Sequence, residues 1–124
     1  SSGINLGIAR RFVRDGAKTL LELLYATGMR ASEALSLRPE FVNLKEGWVR
    51  VLGKGAKERM IPLHDRARSS LARYLELRQA RLKERAALQI FVTRSGRPLS
   101  RVQLWRDIKA LGRRAGLSRT FLTP

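Results

Sequence analysis

The chain has no cysteine and a single histidine among its 124 residues. That excludes a disulfide framework, a thiol nucleophile, a cysteine-rich zinc site and a multi-histidine metal cluster. No metal-binding constellation is legible, and no cofactor or small-molecule substrate is called for. No stretch reaches the roughly 18 consecutive apolar residues of a membrane span, and no N-terminal signal pattern is present, so no membrane partner is expected. Internal repeats and low-complexity blocks are missing too. Acidic residues are scarce, with ten Asp and Glu in all.

Positive charge is abundant. Against those ten acids stand 26 Lys and Arg, for a formal charge of +16 and a pI near 11.7. A polyanion is the expected partner. Without membrane features that partner is nucleic acid, and the expected compartment is the cytoplasm. Hydrophobic residues make up 44% of the chain, and a chain of this size can bury roughly 65% of its unfolded surface. A folded domain is expected, not a basic tail.

The expected fold class is α+β, mainly α, with a small antiparallel hairpin. Leucines 20, 21, 23 and 24 surround the helix period from Ala17 to Ala26, which predicts a buried helix ended by Gly28. Ala31–Leu37 reads as a short second helix stopped before Pro39. Trp48–Leu52 and Met60–Leu63 read as two strands, turned by Gly53-Lys54-Gly55-Ala56-Lys57. His64 or Asp65 opens a long amphipathic helix with Ala67, Leu71, Tyr74, Leu75 and Leu82 at apolar spacings. Ile90-Phe91-Val92 is a strand candidate closed by the Ser95-Gly96-Arg97-Pro98 turn. Ser100 and Gln103 then have the capping-box spacing for a last helix, running to about Arg114 and stopped by Gly116. Tyr25 and Tyr74, the only tyrosines, both read as core residues, and His64 is assigned no role. Ser1-Ser2-Gly3 reads as a cloning remnant, residues 4–16 match no motif, and residues 1–16 stay unassigned.

In the last helix Leu104, Ile108, Leu111 and Ala115 share one face, while Arg106, Lys109 and Arg113 share the other. Between Arg94 and Arg119 eight Lys and Arg meet one acid, Asp107. A solvated helix face is the plain explanation of such a stripe, but the total charge favours nucleic-acid contact.

Three residues suggest chemistry. The Arg30 guanidinium can donate two parallel hydrogen bonds to one phosphate and stays charged at any working pH. An arginine after a Thr-Gly helix stop also serves to cap the carbonyls of the preceding helix. Glu33 would repel phosphate, so its use is to orient Arg30 or fix nearby N–H groups; an ordinary surface glutamate is the alternative. Lys54 is flanked by glycines that permit close approach, although Gly-Lys-Gly is also a common hairpin turn.

The order Thr27-Gly28-Met29-Arg30, Glu33, Leu35, Leu37 resembles the opening motif of the tyrosine recombinases, the family of phage integrases and bacterial Xer recombinases. Val51-Leu52-Gly53-Lys54-Gly55-Ala56-Lys57-Glu58-Arg59-Met60-Ile61-Pro62-Leu63 resembles the same family's hairpin-lysine motif, and the likeness is to the Xer type. The resemblance spans about residues 17–124. It implies double-stranded DNA as the partner, Arg30 and Lys54 as catalytic residues, Glu33 in support, and Lys57, Arg59, Arg101, Arg106, Lys109 and Arg113 as DNA contacts. Lys54 would donate a proton to the leaving 5′-oxygen. In this family a His-x-x-Arg box and a nucleophilic tyrosine come later, and Leu122-Thr123-Pro124 stands where that box would begin. Residues 17–124 are therefore expected to be the first two-thirds of a catalytic domain. Such a chain is expected to bind duplex DNA weakly without recombining it, and to self-associate or join other recombinase subunits. The alternatives are a non-enzymatic basic nucleic-acid-binding protein and a decoy of a full-length recombinase.

Overall fold

The computed structural model describes residues 2–53, 55, 57–83 and 87–115. Its longest element, α1, runs Ser2–Thr27, so the helix expected from Ala17 to Ala26 is only its second half. Residues 4–16 belong to the first half, which carries Ala9 and Phe12 into the core. Leu20 and Leu23 are buried, with Leu21 and Leu24 half-buried against them. Tyr25 departs from expectation: it is 79% exposed. It follows Leu23 by two residues, about 200° around the helix, and so falls opposite the side that Leu23 buries.

Gly28 ends α1 as expected. Its φ is 71° and its N–H donates to the Leu24 carbonyl at 2.9 Å, a left-handed cap that glycine adopts without a Cβ penalty. The Thr27 hydroxyl donates to the Leu23 carbonyl at 2.7 Å and accepts from the Met29 N–H at 3.3 Å. Helix α2 (Ala31–Leu35) is shorter than expected and leads through Leu37 to a 3₁₀ turn at Pro39–Phe41.

Three antiparallel strands follow: β1 (Val42–Asn43), β2 (Trp48–Leu52) and β3 (Glu58–Pro62), in spatial order β1-β2-β3. β1 was not expected, because two residues are too few to show alternation. β3 begins two residues before Met60, since the ladder pairs Leu52 with Glu58 and Val51 with Arg59. The Gly53 N–H donates to the Lys57 carbonyl at 2.7 Å and closes the turn.

Gly47 precedes β2 with φ at 79°. A Cβ there would stand 3.2 Å from the Leu63 carbonyl oxygen and 3.0 Å from Arg68 Nη1, while the Arg68 guanidinium also donates to the Lys45 carbonyl. Gly47→Ala is therefore expected to cost about 2 kcal/mol by urea denaturation, from left-handed strain and crowding together. Gly7→Ala is the control: the helical Gly7 has open space around it, and alanine there should stabilise by about 0.5–1 kcal/mol.

Helices α3 (Asp65–Leu82) and α4 (Arg101–Ala115) both pack on α1. Ala67, Leu71, Tyr74 and Leu82 of α3 are buried as their spacing predicts. Tyr74 stacks between Phe12 and Phe91, with ring centroids 5.4 Å and 5.2 Å away. Ile90, Phe91 and Val92 are buried, but they form only a single bridge from Val92 to Pro98 and no strand. The expected capping box is half made. Ser100 Oγ accepts from the Gln103 N–H at 3.1 Å, whereas the Gln103 side chain donates to Asp107 Oδ1 at 2.8 Å. Burial pushes the Asp107 carboxyl above its ordinary range, and that bond pulls the other way. Gly116, the expected stop, lies outside the described residues.

Candidate active site

Arg30 sits at the N-cap of α2 with extended backbone, φ −77° and ψ 153°. The rigid end of α1 presents it, three residues after Thr27. Its backbone N–H donates to Glu33 Oε1 at 2.8 Å. The expected Arg30–Glu33 pairing across one turn is thus made through the backbone of Arg30. Among the described residues the exposed guanidinium has no hydrogen bond or ion pair, and it remains available to an external anion.

The same Glu33 Oε1 accepts from Arg59 Nη2 at 3.3 Å. The Glu33 side chain is only 12% exposed, against 52% for Arg59. Register explains the meeting. Arg59 pairs with Val51, and Ile61 with Val49, so Arg59 shares the sheet face of the buried valines. A Cβ on Gly53 would stand 4.0 Å from Glu33 Oε2 and 4.0 Å from Arg59 Nη1. Glu33 therefore joins the arginine segment to the stem of the hairpin.

Lys54, the expected hairpin lysine, lies outside the described residues, between Gly53 and Gly55. Gly55 has φ at 76°, a backbone that glycine tolerates. Lys57, Arg101, Arg106 and Lys109 are exposed. Among the described residues these four cations share no bond or ion pair with Arg30 or Glu33. Arg113 lies on α4 with its side chain outside the description. Because α4 packs on α1 and α2, its cationic face belongs to the body that carries Arg30.

The pairing of Arg59 escaped the sequence reading, which gave Arg59 to DNA. Alternation along Arg59, Ile61 and Leu63 was the available signal, hidden because the strand was begun at Met60. Tyr74 is unsuited to nucleophilic attack, since burial pushes its hydroxyl up to about 12, with a Val92 backbone hydrogen bond and Arg78 opposing. A separate cavity of about 800 Å³ lies between the first half of α1, the 93–97 turn and α4, with Arg10, Arg14, Arg94, Arg97 and Asp107 on its walls. None of the motif residues lines it.

Residues 13–124 match the phage integrase family. The tyrosine recombinase XerD of Staphylococcus aureus strain Mu50 is 48% identical over 108 residues, covering 86% of this chain and 36% of the relative. That of Staphylococcus epidermidis is 46% identical over 108 residues, with the same coverage, 86% and 36%. The crystal structure of XerA recombinase matches with a TM-score of 0.68 at 28% identity, over 85% of this chain and 42% of that one. A XerH site-specific recombinase bound to its difH substrate, in a pre-cleavage complex, matches with a TM-score of 0.69 at 27% identity, over 87% and 31%. The chain spans about a third of the length of the curated relatives it matches.

Proposed function

Because the chain belongs to the phage integrase family, we propose that residues 17–124 are part of the catalytic domain of a site-specific tyrosine recombinase acting on double-stranded DNA. One observation carries the reading. A single carboxylate, Glu33, holds the backbone of Arg30 and meets the hairpin stem that leads into Lys54. That contact supports reading the two sequence-distant motifs as parts of one site. A basic binder without chemistry has no need of that convergence.

In the proposed reaction a tyrosine of the whole protein gives up its hydroxyl proton to solvent and its oxygen attacks the scissile phosphorus. A 3′-phosphotyrosine bond forms, and the bond to the 5′-oxygen breaks. Arg30 donates to the non-bridging oxygens as negative charge builds there. Lys54 gives its proton to the departing 5′-oxygen. Glu33 keeps the N-cap in place, and rejoining runs the same steps backwards. Lys57, Arg101, Arg106, Lys109 and Arg113 hold flanking phosphates. Self-association, or assembly with further recombinase subunits, brings two duplexes together, and the compartment is the cytoplasm, where the DNA lies.

The binding half of the proposal is tested by fluorescence anisotropy on a duplex at several salt concentrations. Each phosphate contact contributes about 0.9 to the slope of log K against log salt. Lys57→Ala, Arg106→Ala and Lys109→Ala are each expected to make the slope shallower by about that amount. Unchanged slopes in all three variants would remove the proposed DNA face.

A further inference from the structure

We infer that Arg59 is a positioning residue: through Glu33 it locks the hairpin stem to the backbone of Arg30, and it does not itself hold DNA phosphate. Three observations converge. Arg59 Nη2 and the Arg30 N–H share one acceptor, Glu33 Oε1, at 3.3 Å and 2.8 Å. The register places Arg59 on the inward face with Val51, toward α2 and away from the face of Glu58 and Met60. Gly53, at the end of the stem, lies beside both partners: a Cβ there would stand at ordinary contact distance, 4.0 Å, from Glu33 Oε2 and from Arg59 Nη1.

Glu33 is mostly buried and Arg59 half-exposed, so the pair is shielded on the acid's side only. Without Arg59 the carboxylate keeps one neutral N–H donor and loses its countercharge. Core packing of Met29 and Ala34 with Val49 and Val51 still holds the two segments together, but the direct polar tie between the Arg30 backbone and the hairpin stem is lost. The device makes one rigid unit of residues separated by 26 positions in sequence. As a statement about the reaction this rests on the recombinase reading; as a statement about the contact it does not.

The test uses the ¹⁵N-labelled 124-residue chain and two readouts. Hydrogen exchange at the Arg30 amide reports the lock, with the buried Leu71 amide of α3 as a control for global stability. Arg59→Met is expected to speed exchange at Arg30 about two- to fivefold and leave Leu71 unchanged. Arg59→Lys, which keeps the charge, should restore part of the protection. Duplex binding gives the second readout. The salt slope of Arg59→Met should equal that of the wild type within about 0.3, whereas Lys57→Ala loses about 0.9. Unchanged exchange at Arg30 in Arg59→Met overturns the inference, as does a slope reduced by about one. If the wild-type chain binds no duplex, the recombinase reading fails, and the amide comparison still decides the role of Arg59.

Discussion

Arg30→Ala is expected to slow DNA strand cleavage by the full-length protein about a thousandfold or more, while duplex affinity falls less than about tenfold. The asymmetry follows from where charge develops. In the proposed bound state Arg30 would be one phosphate contact among several. In the transition state of the proposed reaction it would face oxygens gaining charge at one phosphorus, where losing a single preorganised donor costs about 2.7–4 kcal/mol. Arg30 supplies two such donors. The fold should tolerate the change, because the N-cap bond runs from the backbone N–H of residue 30 to Glu33 and needs no particular side chain there. Arg30→Lys keeps a charge but loses the planar fork, so its rate should lie between the two. Single-turnover cleavage of a suicide duplex, with affinity measured in parallel, checks this. Equal losses in cleavage and affinity would make Arg30 a plain binding residue.

Tyr74→Ala is expected to remove about 3–5 kcal/mol of stability, a large share of the roughly 5–15 kcal/mol that holds a typical domain. The ring stacks on Phe12 at one face and Phe91 at the other, and Gly16 closes one edge, where a Cβ would stand 3.0 Å from Cε1. Truncation leaves a void that α1, α3 and the 90–92 segment cannot all close at once. Tyr74→Phe keeps the column and should cost about 1 kcal/mol near neutral pH. The two variants also separate by pH. Burial lifts the hydroxyl from 10.0 to about 12, so the folded chain holds this proton more tightly than the unfolded one. The associated stability is complete below pH 10 and is lost as pH rises from 10 through 12, by about 2–3 kcal/mol. Urea denaturation across that range should show a steeper decline for the wild type than for Tyr74→Phe.

Much of the fold was legible because it rests on local rules. Gly28 as a helix stop, the hairpin around residues 53–57 and the buried positions of α3 all follow from periodicity and turn chemistry. Failures occurred where tertiary partners decide. Residues 4–16 carry little signal of their own, and their helix is fixed by tertiary packing that buries Ala9 and Phe12, the latter stacked on Tyr74, 62 positions away. Gln103 has the spacing to return to the helix start, yet Asp107 one turn later competes for its amide and wins. In the candidate site the acid and its neighbour Arg30 were visible as types at a spacing. The inward direction of Arg59 depends on strand register, which a shift of one residue reverses.

The aromatic column also constrains how the chain comes to be folded in time. Phe12 is made before its stacking partner Tyr74, which in turn stacks on the still later Phe91. At about 5–20 residues per second, synthesis takes roughly 4–16 s to pass from the first of these rings to the last. Throughout that interval the apolar side of α1 emerges from the ribosome without its permanent cover. Helix α1 is therefore complete as a helix well before it is complete as part of a core, and closure of the column is a late event in the making of this segment.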